Sequence, residues 1–176
     1  MSTNKMFFAG TGGMGVLLMG QMVGSAAILE DKAVTFFPSY GPEMRGGTAN
    51  CTVIVSDKPI SSPLIFEADV VVAMTMPSML KFEPMLKPGG IMLINKSLIQ
   101  QAPKRTDITV FEVPATDLAH ELGEVRVANI VMLGAFARTT DVVTEANVEQ
   151  VIRNIFAGKN EKLIDVNMKA FNYWKQ

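Results

Sequence analysis

The sequence predicts an α/β fold with three layers, α/β/α, around a mostly parallel or mixed sheet. Three observations carry this. Strand-like and helix-like segments alternate through the first two thirds of the chain. The apolar runs Val70-Val71-Val72-Ala73 and Ile91-Met92-Leu93-Ile94 are continuous, which suits strands covered on both faces. A glycine string, Gly10-Thr11-Gly12-Gly13-Met14-Gly15, stands between the apolar Met6-Phe7-Phe8-Ala9 and a long helix-like run from Val16 to Glu30. That order of strand, glycine turn and helix is a Rossmann-like start.

The elements follow in order. Strands are predicted near 5–9, 33–37, 49–56, 69–74, 91–95 and 108–113. Helices are predicted at 14–30, 77–85, 116–122, 125–139, 145–157 and 161–174. Asp57-Lys58-Pro59 reads as a turn, and Pro88-Gly89-Gly90 as another just before the strand at 91. Thr144 is a good N-cap for the fifth helix and Gly158 a good residue to end it, with Lys159 beyond. In the last helix Leu163, Ile164, Phe171 and Trp174 fall near one face. The C-terminal third carries no strand signal and reads as helices closing over the sheet. No repeat or long linker interrupts the pattern, so residues 1–176 read as a single domain.

Bulk properties narrow the function classes. The chain has 176 residues, 48% of them hydrophobic and 19% charged, with a net charge of −1. That composition is globular and offers no basic face for nucleic acid. Residues 16–29 come nearest to a membrane-spanning run, but Gln21 and several small residues mark a packed helix. The N-terminus lies too close to the first strand for a signal peptide. A single cysteine, Cys51, permits no disulfide and cannot alone ligate an iron–sulfur cluster. A cytoplasmic location is the expectation. One histidine, His120, does not make a zinc site.

Glycine permits close approach of backbone to ligand, and a helix start offers unpaired N–H groups and a partial positive charge. Residues 10–15 therefore point to an anionic ligand. The bland alternative is that these glycines only allow tight strand–helix packing. A dinucleotide fold also wants an acid at the end of the second strand to hold the ribose. That strand, Ala33-Val34-Thr35-Phe36-Phe37, is followed by Pro38-Ser39-Tyr40, with no acid. Glu30 and Asp31 sit at its wrong end.

A second segment, Ser39-Tyr40-Gly41-Pro42-Glu43-Met44-Arg45-Gly46-Gly47, links the second and third strands. In a parallel arrangement its start lies at the same sheet edge as the glycine turn. Arg45 offers a planar fork of donors for a carboxylate or phosphate. Glu43 suits a pairing with Arg45 or with a partner's cation. Tyr40 adds an apolar body with a polar tip. The bland reading is a solvated loop with an incidental ion pair.

With these residues in view, the chain resembles the gamma subunit of the 2-oxoacid:ferredoxin oxidoreductases. The resemblance rests on the glycine turn, Tyr40-Gly41-Pro42-Glu43-x-Arg45-Gly46-Gly47, Ser56-Asp57-x-Pro59-Ile60 and Ser62-Pro63. It continues through Asp69-Val70-Val71-Val72-Ala73-Met74, Leu86-Lys87-Pro88-Gly89-Gly90, Ala115-Thr116 and Asn129-x-x-x-Leu133-Gly134. Together these span about residues 6–157. Met14 departs from the glutamine common there.

The resemblance implies an enzyme complex that oxidatively decarboxylates a 2-oxoacid to an acyl-coenzyme A and passes electrons to ferredoxin. Thiamine diphosphate, magnesium and iron–sulfur clusters would sit on partner alpha, beta and delta subunits. Coenzyme A is the one ligand this chain itself would contact, through Gly10, Thr11, Gly12, Gly13, Met14, Gly15, Ser39, Tyr40, Gly41, Glu43, Arg45, Gly46 and Gly47. No catalytic residue or metal ligand is expected on it. Alternatives are a purely assembling subunit and a stand-alone nucleotide-binding oxidoreductase. A short unfused chain favours 2-oxoglutarate, with pyruvate and branched-chain acids open. In isolation, a homodimer would cover the docking face.

Four further groups complete the reading. Cys51 lies in a strand-like run and reads as a buried small hydrophobe. His120 reads as a surface or capping residue. Met74, Met76 and Met79 follow the fourth strand at the edge of the glycine turn, where they suggest an adaptable contact surface. Asn129, inside an apolar helix, requires a hydrogen-bonding partner if buried.

Overall fold

A computed structural model describes residues 2–40, 47–158 and 161–175. Six strands form one sheet: β1 (Thr3–Thr11), β2 (Ala33–Tyr40), β3 (Thr48–Ser56), β4 (Ala68–Ala73), β5 (Leu86–Asn95) and β6 (Thr109–Val113). Their order in space is β2-β3-β1-β4-β5-β6. β1, β4, β5 and β6 run parallel, while β3 is antiparallel to both β1 and β2. The sheet is therefore mixed, with β3 as the one reversed strand. Six helices complete the described fold: α1 (Val16–Ile28), α2 (Met76–Phe82), α3 (Ala115–Glu121), α4 (Ala128–Thr139), α5 (Glu145–Phe156) and α6 (Glu161–Tyr173).

Alternation along the central strands splits the core in two. Met6 and Phe8 of β1, with Val70 and Val72 of β4, face a cluster built with α1, α4, α5 and α6. Phe7 and Ala9, with Val71 and Ala73, face a smaller cluster closed by α2, Ile65 and Ile99. Hence the continuous apolar runs: both faces are covered. Phe7 and Phe82 meet with ring centroids 4.6 Å apart on the thin side, and Phe8 and Phe136 at 5.4 Å on the thick side.

Several expectations change. Pro88-Gly89-Gly90 is not a free turn but an irregular start of β5. Ala68 pairs with Leu86 and Val70 with Ile91, while Gly89, at φ 75°, donates its N–H to the Asp107 carbonyl at 2.7 Å. Met74 and Met79 are fully buried, so the methionines after β4 fill the core rather than offer a contact surface. His120 is exposed at the end of α3, as a surface or capping residue would be.

The small residues of α1 have a packing reason. A Cβ on Gly20 would overlap Cys51 Sγ and stand 3.1 Å from Val53 Cγ2. Cys51 is fully buried there, and burial pushes its thiol up to about 12. The native protein is therefore expected to resist thiol reagents at pH 8 and to react only after denaturation, as a colorimetric thiol titration would show.

Glu30 ties the end of α1 to the start of α5. Its carboxylate accepts from Lys32 Nζ at 2.7 Å, Thr144 N at 2.8 Å, and Thr144 Oγ1 and Asn147 Nδ2 at 3.1 Å each. Burial pushes its pKa up, but these hydrogen bonds, Lys32 foremost, outweigh it and bring the carboxyl down from 4.5 to about 2. A depressed native pKa stabilises the fold at pH values above the unfolded value near 4.5. That stabilisation drains away as the pH falls toward 2. Glu30→Gln is expected to cost about 2 kcal/mol at pH 7. Urea unfolding across pH should show the deficit shrinking below pH 4.5 and vanishing near pH 2.

Candidate functional site

The order of the strands places a crevice between the carboxyl ends of β1 and β4. After β1 the chain enters α1 on the face of Met6 and Phe8; after β4 it enters α2 on the face of Phe7 and Ala9. Chains that leave neighbouring parallel strands toward opposite faces open a gap at that edge, where ligands of α/β sheets bind. The glycine string lies there.

The local geometry explains its glycines. Gly10 is a packing position, since a Cβ there would lie 2.9 Å from Val16 Cγ1 and 3.1 Å from Met74 Cβ. The turn closes with Met14 N donating to the Thr11 carbonyl at 3.1 Å. Gly13 and Gly15 need left-handed backbone, with φ 95° and 71°. They differ in surroundings: a Cβ on Gly15 would overlap Asn129 Nδ2, whereas nothing lies within 4 Å of the same position on Gly13. Asn129, 5% exposed, donates through Nδ2 to the Gly15 carbonyl at 3.3 Å and so supplies the partner that its apolar helix requires.

Gly15 begins α1 without a side-chain cap, and the first turn holds no acidic residue. The first bond of the helix runs from Met19 N to Gly15 O at 3.1 Å. The amides of residues 16–18 precede it and point out of the helix end. The same helix start lines a cleft of about 500 Å³ together with Thr11, Gly12, Gly13, Gly15, Gln21 and Ala49. A dipole end, uncapped donors and a missing Cβ at Gly13 together favour an anion.

The start of β3 closes one side. Thr11 pairs with Thr48, Tyr40 with Ala49, and Gly12 N donates to Gly47 O at 2.9 Å. The end of β2 and the start of β3 thus meet the glycine turn at one edge. Ser39 is exposed on β2. Gly41, Glu43, Arg45 and Gly46 lie outside the described residues. Because β3 stands between β1 and β2, the end of β2 is about 10 Å from β1 in the sheet plane. The ribose-binding position of a dinucleotide fold does not exist here, whatever residue ends β2.

Two adjoining pockets extend the site. Met14 turns away from the cleft into a pocket of about 310 Å³ shared with Gly13, Met74, Leu98, Thr116, Val125, Arg126 and Ala128. Leu98 and Val125 are each 45% exposed at its rim. A third pocket, about 210 Å³, runs from Leu18 past Glu124, Arg126 and Asn129 to Asn167 of α6. Arg126 is the charged residue lining both, in the 3-10 turn Val125–Val127. Its Nε and Nη2 each donate to Glu124 at 2.9 Å. Those bonds hold the Glu124 carboxyl down at about 2. Sequence reading missed this pair because Arg126 falls in the first turn of the helix predicted over 125–139, where a basic residue draws no notice. The available signal was Glu124-x-Arg126 directly after Gly123 and three residues before Asn129.

A family model described as pyruvate ferredoxin/flavodoxin oxidoreductase matches residues 5–173. Over 162 residues the chain is 38% identical to ketoisovalerate oxidoreductase subunit VorA of Methanothermobacter marburgensis, covering 92% of this chain and 34% of that protein. It thus spans about a third of that relative's length. It is 35% identical over 170 residues to 2-oxoglutarate synthase subunit KorC of Methanocaldococcus jannaschii, covering 93% and 88% of the two chains. The keto/oxoacid ferredoxin oxidoreductase gamma subunit of Geobacter sulfurreducens superposes with a TM-score of 0.80 at 30% identity, over 96% of this chain and 94% of that one.

Proposed function

Because the chain belongs to the pyruvate ferredoxin/flavodoxin oxidoreductase family, we propose that it is the gamma subunit of a multi-subunit 2-oxoacid:ferredoxin oxidoreductase whose glycine turn receives the phosphate end of coenzyme A. The carrying observation is the uncapped start of α1 behind Gly13, at the crevice between β1 and β4. Thr11, Gly12, Gly13 and Gly15, with Gly47, form the anion cradle on this reading, while Gly10 packs behind it and Met14 faces the adjoining pocket. Ser39, Tyr40, Gly41, Glu43, Arg45 and Gly46 complete it from the connecting segment. Arg126 is a second cation at the site.

The chemistry of decarboxylation and electron transfer belongs to partner subunits, which hold thiamine diphosphate, magnesium and iron–sulfur clusters. Cys51, sealed between α1 and β3, is unsuited to ligate a cluster. This chain's part is to bind and orient coenzyme A and to dock against those partners, delivering electrons to ferredoxin only through them. The exposed Leu98 and Val125 beside the turn support a subunit contact at the same edge. Among the described residues no helix is long and apolar enough to cross a membrane. The similarity to VorA and KorC supports a 2-oxoacid as the substrate class. Of that class we propose 2-oxoglutarate, as for KorC.

Coenzyme A titration of the assembled complex tests this. Gly13→Val and Arg45→Ala are expected to weaken coenzyme A binding at least tenfold while the KM for the 2-oxoacid holds. Unchanged affinity in both variants, with assembly intact, would refute the ligand role and leave an assembly subunit.

A further inference from the structure

We propose that Glu124 is a resident competitor for Arg126, occupying the guanidinium until a phosphate-bearing ligand takes it. The inference rests on the coenzyme A reading above. The guanidinium presents two parallel N–H donors to the Glu124 carboxylate, Nε to Oε1 and Nη2 to Oε2, at 2.9 Å each. A phosphate takes the same fork in the same geometry, so carboxylate and ligand exclude one another.

The pair is built to open. The Arg126 side chain is 85% exposed, and an exposed pair between flexible side chains is weak. Glu124 is more fixed: it is 30% exposed, accepts the Arg126 N–H at 3.3 Å to cap the 3-10 turn, and donates its own N–H to the Ala119 carbonyl. Arg126 can therefore swing while Glu124 stays. Arg126 also lines the pocket that contains Gly13 and Met14, and is the charged residue there, so its released guanidinium remains at the glycine turn. A carboxylate left behind repels a bound polyanion. Glu124 thus lowers affinity twice, by engaging the cation and by facing the ligand.

The test uses the reconstituted complex, reading the KM for coenzyme A against the KM for the 2-oxoacid. Glutamine at 124 keeps a cap acceptor but loses the charge. Glu124→Gln is expected to lower the coenzyme A KM three- to tenfold, with the 2-oxoacid KM unchanged. Arg126→Gln is expected to raise the coenzyme A KM about tenfold. In that background Glu124→Gln should lose most of its effect. A coenzyme A KM that rises or stays constant in Glu124→Gln overturns the inference, because Glu124 then orients Arg126 or stands by. An unchanged KM in Arg126→Gln overturns it too. Neither outcome touches the coenzyme A reading, which Gly13→Val decides separately.

Discussion

Gly134→Ala is expected to destabilise the protein by about 3 kcal/mol and to lower Tm by roughly 6–12 °C. α4 and α6 approach so closely at Gly134 that an added Cβ would overlap the Phe171 carbonyl oxygen and lie 2.9 Å from its carbon. Backbone cannot turn aside as a side chain can. The same contact is bridged by Arg138, which donates from Nη1 to Phe171 O at 2.7 Å, and from Nη2 to Asn172 Oδ1 at 2.9 Å. The guanidinium carbon also stands 5.1 Å from the Phe171 ring centroid. Pushing the helices apart therefore loses packing and strains a bridge at once. Alanine's better helix propensity returns only about 1 kcal/mol. Gly158→Ala is the control. Its φ is 72° but nothing lies within 4 Å of the added atom, so about 1 kcal/mol of backbone strain is expected. Calorimetry on the two variants separates crowding from strain. A Tm for Gly134→Ala equal to that of Gly158→Ala would contradict the close packing.

Gly13→Val is expected to raise the coenzyme A KM of the assembled complex at least tenfold, a loss of about 1.4 kcal/mol of binding or more. An added Cβ meets no atom within 4 Å, so the fold bears chiefly the cost of a positive φ, about 1–2 kcal/mol and more for a β-branched residue. The cleft bears the rest. Gly13 lines the same cleft as the start of α1, where an anion must come within about 3 Å of an amide to be bound, so a bulky side chain there competes for that space. Gly10→Val is the contrasting variant. It crowds Val16 and Met74 and should lose stability before ligand affinity, because Gly10 packs rather than lines the cleft. Comparing urea midpoints with KM values for the two variants assigns one glycine to the fold and the other to the ligand.

Much of the fold was legible because apolar runs mark strands whatever their direction. That same property hid the reversal of β3. Cys51, Val53 and Val55 face the thick side and Ile54 the thin side, so the strand is covered on both faces like its parallel neighbours. Nothing in such a run records polarity. The Pro88-Gly89-Gly90 string signalled a departure from regular backbone but not its kind. Whether it turns or bulges depends on Asp107, which supplies the carbonyl for Gly89 from 18 residues away in sequence.

At the site, the glycine turn was legible because its conformation is local. Gly13 and Gly15 need positive φ whatever surrounds them. Arg126, Glu124 and the partner that Asn129 requires were not, because they meet the turn only through the packing of α4 against α1, more than 100 residues along the chain. The methionines misled for a related reason. Met74 and Met79 sit at the right edge of the sheet, but α2 folds back over the thin face and seals Met79, while the glycine turn seals Met74.

On the proposed function, the start of α1 behind Gly13 receives the phosphate end of coenzyme A. The most direct measurement is a structure of the assembled complex with coenzyme A bound. The expected result is a phosphate oxygen within hydrogen-bonding distance of the amides between Gly13 and Leu18, with the Arg126 guanidinium turned from Glu124 toward it. Coenzyme A seated wholly on partner subunits, with the glycine turn packed against protein or left in solvent, would contradict it.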